Sequence, residues 1–341
     1  MAGALTMRAA VFKGVGTPLA IETLADPEPG PGEAVIKVGR CGICGSDIHM
    51  TSGHALDYPA GTILGHEYAG EVVALGAGVA SLKPGDRVTA MPATGCGQCL
   101  ACLSGYPLGC RQMLGMLGGF GEYLRIAAAS AVKLPASLSL ADGALVEPLA
   151  VGLRGVRLAG MAAGARILVL GAGSVGLAVI HWARRLGAGR IVAASPSARR
   201  RDLALAMGAD SFETLGDGER DRIAGVLGGA PDLVFECAGA VGLLQKSVDL
   251  IRPEGVIVSL GFCGRPDPIT PAIATWKQVT IKFSFAYALS EFRHCADALD
   301  RGQVEPRRMI TETVSLDALP AMFEAIRAGA GQAKVQVDPW L

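Results

Sequence analysis

The segment 165–188, ARILVLGAGSVGLAVIHWARRLGA, contains the pattern that decides the fold of this chain. Its first part, ARILVLG, is an apolar run that predicts a buried strand. In the second part Val175, Val179, Trp182 and Leu186 recur near helical spacing and predict a helix. A strand that leads directly into a helix is half of a βαβ unit, and such units build parallel sheets.

The turn between this strand and this helix is rich in glycine. Gly171, Gly173 and Gly176 form the pattern G-x-G-x-x-G. The first glycine suits a tight turn, the second lets the backbone approach a pyrophosphate, and the third lets helix and strand pack closely. The helix start, with Ser174 and Val175, offers N–H groups to phosphate oxygens. An ordinary glycine-rich turn is the alternative, but the strand–loop–helix context favours a dinucleotide site.

The next strand end bears on which dinucleotide binds. Ser195 stands nineteen residues beyond Gly176, where an acidic residue would hold the ribose of NAD. A hydroxyl there, followed by Arg199 and Arg200, accepts a 2′-phosphate that a carboxylate would repel. The alternative is that these arginines are a solvated first helical turn. We favour NADP(H) over NAD(H).

Four cysteines, Cys96, Cys99, Cys102 and Cys110, lie within sixteen residues. A disulfide knot is disfavoured because the nine cysteines are odd in number and the chain carries no secretory pattern. An iron–sulfur cluster of the bacterial type needs a fourth cysteine three residues after the third and before a proline. Here seven residues intervene and Arg111 follows. We therefore predict a structural zinc ion, because four thiolates close its coordination shell and leave no place for a substrate.

The pattern of apolar runs and turns divides the chain into two predicted domains. Short apolar runs with Pro and Gly between them predict an all-β, barrel-like domain before residue 150. Alternating strands and helices then predict a parallel sheet. We place the catalytic domain at 1–150 and 288–341, with the C-terminal tail packing back onto it, and the NAD(P)-binding domain at 151–287.

Composition excludes several partners. Among 341 residues, 31 Lys and Arg balance 31 Asp and Glu, so nothing indicates nucleic acid or an anionic membrane surface. The longest uncharged run, Val88–Cys110, is interrupted by Pro and Gly and is no membrane span. The N-terminal sequence lacks the pattern of a secretory signal. We expect a cytoplasmic protein with no nucleic-acid or membrane partner.

Further possible metal ligands are dispersed along the first 150 residues. CGICGSDIHM contains Cys41, Cys44, Asp47 and His49, and two later motifs, GHE and EPLAVG, contain His66, Glu67 and Glu147. Three such ligands with one open position describe a catalytic zinc site. By spacing alone the signal is weak, since each residue could equally be a buried cysteine, a surface histidine or a glutamate at a helix start before Pro148.

These motifs occur in one order along the chain: CGSD at 44–47, GHE at 65–67, the four cysteines, EPLAVG and VLGAGSVG. This arrangement resembles the zinc-dependent alcohol dehydrogenases of the medium-chain dehydrogenase/reductase superfamily, nearest the branch of sorbitol and threonine dehydrogenases. The resemblance implies an α/β plus β fold, in which a Rossmann-type parallel sheet accompanies a catalytic β-barrel of the chaperonin-10 type. It also implies an active site in a cleft between these domains.

The resemblance assigns roles residue by residue. Cys44 and His66 become ligands of the catalytic zinc, and Glu67 and Glu147 compete for the remaining protein position without a ranking from sequence. Ser46 accepts the alcohol proton, His49 passes it to solvent, and Asp47 orients the site. Cys41 matches no ligand position and is assigned to packing. The further cofactor contacts that we predict are Leu260, Phe262, Ser284 and Phe285.

The predicted reaction is the reversible oxidation of a primary or secondary alcohol with hydride transfer to NAD(P)+, using one catalytic and one structural zinc per chain. Met50, Thr313 and the apolar stretch Met113–Phe120 favour a substrate less polar than a sugar alcohol, provided that the stretch lines the site and does not fill the core. The alternatives are a polyol or threonine dehydrogenase, a zinc-free quinone or enoyl reductase, and a non-catalytic nucleotide-binding or metal-storage protein. We expect a homodimer or homotetramer.

Overall fold

A computed structural model describes residues 5–53 and 57–341. The chain divides into two compact units. The two-segment unit is Met1–Glu147 together with Tyr287–Leu341, and the central unit is Pro148–Ala286. The start of the N-terminal stretch in which we sought a secretory signal, residues 1–4, lies outside the described residues.

The strands follow in chain order: β1 Thr6–Val11, β2 Ala20–Ala25, β3 Glu33–Gly42, β4 Glu67–Leu75, β5 Arg87–Ala90, β6 Ala93–Thr94, β7 Leu114–Gly115, β8 Tyr123–Ala127, β9 Ala131–Lys133, β10 Arg166–Leu170, β11 Arg190–Ser195, β12 Ser211–Thr214, β13 Leu233–Glu236, β14 Val256–Ser259, β15 Thr280–Phe283, β16 Ile310–Ser315 and β17 Lys334–Asp338.

The helices are α1 Gly45–His49, α2 Leu100–Leu103, α3 Leu140–Ala159, α4 Ser174–Arg185, α5 Arg201–Met207, α6 Glu219–Leu227, α7 Leu243–Leu250, α8 Pro271–Lys277, α9 Leu289–Asp300 and α10 Leu319–Arg327. Short 3-10 turns cover Pro107–Gly109, Ala128–Ser130, Ala198–Arg200 and Glu305–Met309. Within the described part of the chain, no helix combines the length and the apolar character that crossing a membrane requires.

The central unit contains a six-stranded sheet in the order β12-β11-β10-β13-β14-β15, with every neighbouring pair parallel. Numbered from its first strand, this is the order 3-2-1-4-5-6 of a dinucleotide-binding sheet. Its strands are apolar because helices cover them, and Leu168, Val192, Val234 and Ile257 are fully buried in one core cluster. The strand order reverses beside β10, so the loop after β10 faces the crevice where such sheets bind ligands.

The two-segment unit is built on a sheet in the order β16-β17-β3-β4-β5-β9, with β8 also paired to β3. The last strand of the chain, β17, runs antiparallel to β3, and Gln336 lies opposite Gly42. The core beneath this sheet includes Ile36, Tyr68 and Phe323, all fully buried. Residues from both ends of the sequence therefore complete one sheet.

Helix α3 corrects one expectation about Glu147. Its position before Pro148 was compatible with a helix start at Glu147, but the helix begins at Leu140 and Pro148 lies inside it. A local capping arrangement begins the helix earlier: Asp142 Oδ2 accepts the Ser139 N–H at 2.8 Å, and Ser139 Oγ accepts the Asp142 N–H at 3.1 Å. Glu147 therefore projects from the interior of a long helix.

The apolar stretch Met113–Phe120 lies only partly in the core. Phe120 is fully buried and Met116 is 6% exposed, whereas Met113 and Leu114 are exposed. Thr313 lies on β16 and is exposed. Phe120 and Met116 therefore give no support to a less polar substrate, because their positions are explained by packing.

Candidate zinc and cofactor sites

The register between β3 and β4 brings the proposed zinc ligands to one place. Gly42, the last residue of β3, is paired with Glu67, the first residue of β4. Cys44 follows β3 by two residues and His66 immediately precedes β4. Antiparallel pairing of β3 and β4 therefore brings together residues that are more than twenty positions apart in the sequence.

Asp47 orients His66. This carboxylate is fully buried, and its Oδ2 accepts the Cys44 N–H at 3.0 Å at the start of α1. Its Oδ1 lies 3.2 Å from His66 Nδ1, which leaves Nε2 as the ring nitrogen available to a metal. Burial acts to lower the pKa of His66, but the neighbouring Asp47 and Cys44 raise it well above its usual range.

Cys44, His66 and Glu67 each offer one ligand atom, and these atoms all lie within 4.8 Å of one another. Donors of a tetrahedral zinc ion bind at about 2.0–2.3 Å and so lie roughly 3–4 Å apart, a spacing that this group can adopt. Glu67 is fully buried and its Oε2 has no hydrogen-bond partner. An unpartnered buried carboxylate oxygen is costly unless a cation binds it, so the donor set fits zinc.

The second oxygen of Glu67 is held by Lys334, a residue that the sequence analysis did not single out. Lys334 Nζ lies 2.6 Å from Glu67 Oε1 and donates to the Ile43 carbonyl at 2.9 Å. Both side chains of the ion pair are 1% exposed. The only signal in the sequence was a lysine among alternating apolar residues of the final strand.

Glu147 lies near this group but is not one of its three members. Burial raises the pKa of Glu147 to about 7, and the Glu67 carboxylate acts in the same direction. His66, Lys334 and the neighbouring Tyr287 hydroxyl act in the opposite direction. A carboxyl with a pKa near neutrality can exchange a proton under working conditions.

Ser46 and His49 lie on α1, three residues apart and so on one face of the helix. Ser46 Oγ is 3.4 Å from His66 Nε2, which places the hydroxyl beside the proposed metal position. Cys41 is fully buried; its Sγ is so close to Gly65 and Gly119 that an added Cβ at either glycine would meet it at 2.9 and 2.4 Å. This tight packing agrees with the role assigned to Cys41.

The four-cysteine cluster is brought together by the loop 95–110. One sulfur from each of Cys96, Cys99, Cys102 and Cys110 lies within 4.8 Å of the others. Cys99 Sγ and Cys102 Sγ are 3.6 Å apart, close to the roughly 3.8 Å edge of a zinc–thiolate tetrahedron and far beyond a disulfide bond. All nine cysteines of the chain are free thiols. Backbone N–H groups of Gln98 and Cys99 lower the pKa of Cys96 to about 6, which favours the thiolate that binds metal.

The glycine loop after β10 has the geometry that its three glycines predict. Gly171 has a φ of +96°, in the left-handed region that favours glycine. A Cβ on Gly176 would lie 1.9 Å from the Gly171 carbonyl oxygen, so helix and loop touch there. A Cβ on Gly173 would meet nothing closer than Arg200 Nη1 at 3.7 Å, so this glycine leaves open space for a ligand. The loop therefore fits a pyrophosphate at the start of α4.

Ser195 and Arg200 lie against the same loop. Ser195 Oγ accepts the Ala172 N–H at 3.0 Å, and Arg200 Nη1 donates to the Ala172 carbonyl at 3.2 Å. Arg199 is exposed, and its Nε donates to Ser197 Oγ at 3.3 Å. Burial and the neighbouring positive charge of Arg199 both lower the pKa of Arg200. Two cations therefore repel each other at the end of β11.

The remaining predicted cofactor contacts follow the ends of two later strands. Leu260 and Phe262 come after β14, and Ser284 and Phe285 after β15. Leu260 packs against α3, where a Cβ on Gly155 would meet its side chain at 2.4 Å. Ser284 Oγ is buried without a hydrogen-bond partner, and Phe285 is 60% exposed. The structure places all four at the carboxyl edge of the sheet.

Two protein-family models match the chain. The alcohol dehydrogenase GroES-like domain matches residues 30–136, and the zinc-binding dehydrogenase domain matches residues 174–301. Sorbitol dehydrogenase of Ovis aries is 31% identical over 333 residues, covering 94% of each chain. The chain belongs to the zinc-dependent alcohol dehydrogenases of the medium-chain dehydrogenase/reductase superfamily. It is an oxidoreductase that acts on CH–OH groups with a nicotinamide cofactor, as predicted.

Solved structures of this dehydrogenase family agree over nearly the whole chain. A zinc-binding dehydrogenase from Sinorhizobium meliloti bound to NADP has 34% identity and a TM-score of 0.88, covering 98% of this chain and 100% of that one. An alcohol dehydrogenase from Escherichia coli CFT073 in complex with NADH has 26% identity and a TM-score of 0.89, with the same coverage. The predicted fold class is confirmed, and the zinc-free and non-catalytic alternatives are set aside.

Proposed function

We propose that this dehydrogenase oxidises a primary or secondary alcohol reversibly at a zinc ion held by Cys44, His66 and Glu67. The observation that carries the assignment is the convergence of their ligand atoms within 4.8 Å, with Glu67 Oε2 buried and unpartnered. Glu147 is assigned a place beside the metal, because the three-residue group is complete without it.

The chain's own residues handle the proton. A zinc ion held there would supply Lewis acidity, which lowers the pKa of an alcohol, and a nicotinamide cofactor would serve as the hydride acceptor. Ser46 Oγ would accept the alcohol proton as it releases its own hydroxyl proton toward His49, which lies on the same face of α1 and would pass a proton to solvent. Asp47 keeps the His66 ring in one orientation throughout. Lys334 keeps the Glu67 carboxylate in place.

A second zinc ion at Cys96, Cys99, Cys102 and Cys110 serves the fold. Four thiolates complete a tetrahedral shell, so no position is left for a substrate. Leu100 and Leu103 of the loop that carries them are 84% and 73% exposed, so the loop buries little apolar surface of its own and metal binding would supply its order. We therefore infer two zinc ions per chain with separate tasks.

For the cofactor we favour NADP(H). Ser195 leaves no carboxylate at the end of β11 to repel a 2′-phosphate, and its hydroxyl hydrogen is available to donate. The mutual repulsion of Arg199 and Arg200 is relieved when an anion binds between them. The related structures bind NADP in one case and NADH in the other, so the preference rests on these three residues.

For the substrate we propose an alcohol less polar than a sugar alcohol, on the basis of Met50 directly after His49. The Tyr58 N–H donates to the Met50 carbonyl at 2.9 Å, which holds the backbone of residue 58 beside the end of α1. A polyol is the second candidate, favoured by the similarity to sorbitol dehydrogenase. Comparing kcat/KM for 2-butanol, 2,3-butanediol, xylitol and sorbitol distinguishes the two substrate classes. A preference for xylitol or sorbitol overturns the proposal of a less polar alcohol.

We also propose that the protein forms a homo-oligomer in the cytoplasm. Strand β15 is the last strand of its sheet and exposes Phe283, which is 72% accessible, while nearby Trp276 is 88% accessible. An exposed edge strand with apolar side chains pairs readily with a second copy. None of the nine cysteines is disulfide-bonded, which favours a reducing compartment.

Metal analysis combined with activity tests the proposal. The wild type is expected to hold two zinc ions and to reduce NADP+, whereas Cys44→Ser and His66→Ala hold one and do not turn over. Both variants are expected to bind NADPH, because the proposed cofactor residues belong to the central unit. Cys41→Ala is the matched control and keeps both metals. Near wild-type activity of Cys44→Ser after chelator treatment contradicts the mechanism.

A further inference from the structure

Glu236 is a buried carboxylate that has no part in the proposed chemistry. It is the last residue of β13, adjacent in the sheet to the last residue of β10, Leu170, and it is 2% exposed. In the described part of the chain, its carboxylate accepts hydrogen bonds from N–H and O–H groups and from no Lys or Arg side chain. Burying such a charge is costly, so its retention calls for an explanation.

The carboxylate shapes the loop that follows β13. Glu236 Oε1 accepts the N–H groups of Ala238 at 2.8 Å and Gly239 at 2.7 Å. Gly239 has a φ of +65°, a turn that these two bonds close. The loop in turn supports the first glycine of the dinucleotide motif, since a Cβ on Gly171 would lie 2.8 Å from Ala238 Cβ.

The same residue also fixes the loop after β14. Glu236 Oε2 accepts from Ser259 Oγ at 3.2 Å, and its carbonyl accepts the N–H groups of Leu260 at 2.7 Å and Gly261 at 3.0 Å. The two loops touch directly: a Cβ on Gly261 would lie 2.1 Å from the Gly239 nitrogen. One residue therefore makes five hydrogen bonds and ties together the loops 237–239 and 260–262.

We propose that Glu236 is a positioning residue for the dinucleotide, which fixes the two loops beside the Gly171 turn at the point where the strand order reverses. The inference rests on the proposed cofactor site. It follows from the geometry because a ligand bound in this crevice meets loops that are already ordered, and it then loses little conformational entropy on binding. Glu236 acts through these loops of the central unit.

The test is the Kd of NADPH for the zinc-loaded protein, measured by fluorescence titration without alcohol. Glu236→Ala is expected to raise this Kd at least about tenfold, because two buried N–H groups lose their acceptor. Glu236→Gln, whose amide oxygen still accepts both N–H groups, is expected to stay within about threefold. Hydrogen exchange of the amides at 238 and 239 is expected to accelerate in Glu236→Ala, while the KM for alcohol is retained.

Two further variants make the result decisive. Glu236→Asp is one methylene shorter and is expected to raise the Kd as well; if Glu236→Ala does not fold, an unchanged Kd for Glu236→Asp overturns the proposal. Glu291→Ala removes another buried carboxylate, which accepts the Ala288 N–H in the other unit, and is expected to leave the Kd unchanged. An equal rise in Glu291→Ala also overturns the proposal.

Gly173→Val separates this inference from the cofactor site itself. The side chain has room in the fold but fills the space left for the pyrophosphate. Persistent NADPH binding by Gly173→Val rejects the proposed cofactor site. Lost binding in Gly173→Val together with wild-type binding in Glu236→Ala rejects only the role of Glu236.

Discussion

Lys334 Nζ lies 2.6 Å from Glu67 Oε1, and both side chains are almost completely buried. Lys334 begins the last strand of the chain, whereas Glu67 begins β4. The ion pair therefore joins the end of the sequence to the proposed zinc site. It engages one oxygen of Glu67, while the other oxygen has no hydrogen-bond partner.

Removing one member of this pair is expected to cost more than removing both. Lys334→Met leaves a buried carboxylate without its cation, which typically costs about 3–5 kcal/mol. The double variant Lys334→Met/Glu67→Gln leaves no uncompensated charge and should recover part of that loss. Thermal unfolding of the zinc-depleted protein checks the difference, because a zinc ion at Glu67 would itself neutralise the carboxylate and Glu67→Gln would weaken its binding. A double variant less stable than Lys334→Met would contradict this interpretation.

Cys102→Ala is expected to lose one of two zinc ions and several kcal/mol of stability, because metal binding and ordering of the loop are coupled. The ligands Cys44 and His66 remain intact in this variant. Zinc per chain and the melting temperature are the measurements, with Cys41→Ala as the control that keeps both ions. Iron and labile sulfide in the natively purified protein would reject the structural zinc.

Ser46→Ala is expected to lower kcat by roughly 10²–10⁴-fold, the usual contribution of a positioned proton acceptor. Zinc content and cofactor affinity should not change, since the hydroxyl is not a ligand. Ser52→Ala removes a hydroxyl one turn beyond α1, bonded to the Ile48 carbonyl, and serves as the control. If His49→Ala leaves the pH–rate profile unchanged, His49 is not in the relay.

Ser195→Asp is expected to reduce kcat/KM for NADP+ by about ten- to hundredfold relative to NAD+, because one charge-assisted bond is lost and a like charge is introduced. A carboxylate can still accept the Ala172 N–H that Ser195 Oγ accepts now. Thr214→Asp, opposite Ser195 on the neighbouring strand, is the control. A wild type that prefers NAD+ refutes the cofactor proposal.

Asp232 links two arginines at the opposite edge of the sheet. The Arg166 guanidinium, with two bonds at 2.9 and 3.0 Å, and Arg252, at 2.6 Å, hold the pKa of this carboxyl far below its usual range. Because the pKa of Asp232 is lower in the folded than in the unfolded state, its ion pairs stabilise the fold fully at pH values above the unfolded-state pKa of about 3.9. This stabilisation is lost as pH falls through the folded-state pKa.

Asp232→Asn is accordingly expected to be less stable than the wild type by about 1–3 kcal/mol at pH 7, and the difference should shrink in acid. Urea midpoints between pH 7 and pH 3 provide the measurement, with Asp202→Asn on α5 as the control. A difference that grows on acidification has the wrong sign for this mechanism.

The sequence by itself determined the features that depend on near neighbours. The glycine spacing of Gly171, Gly173 and Gly176, set between an apolar strand and a helix, was enough to predict a dinucleotide loop. The four cysteines from Cys96 to Cys110 were enough to predict a metal cluster, because one short loop carries all four donors. The strands of the central unit could be predicted in the same way, since each is a short apolar run between turns.

Only the tertiary structure decided the contacts that depend on strand register. Spacing cannot show that Gly42 pairs with Glu67 or that Lys334 reaches the same point, because antiparallel pairing joins residues that are far apart in sequence. The sequence also left Glu67 and Glu147 unranked, and the structure groups only Glu67 with Cys44 and His66. Glu236 carried no signal, since its importance lies in five bonds to loops that meet only when the parallel strands align.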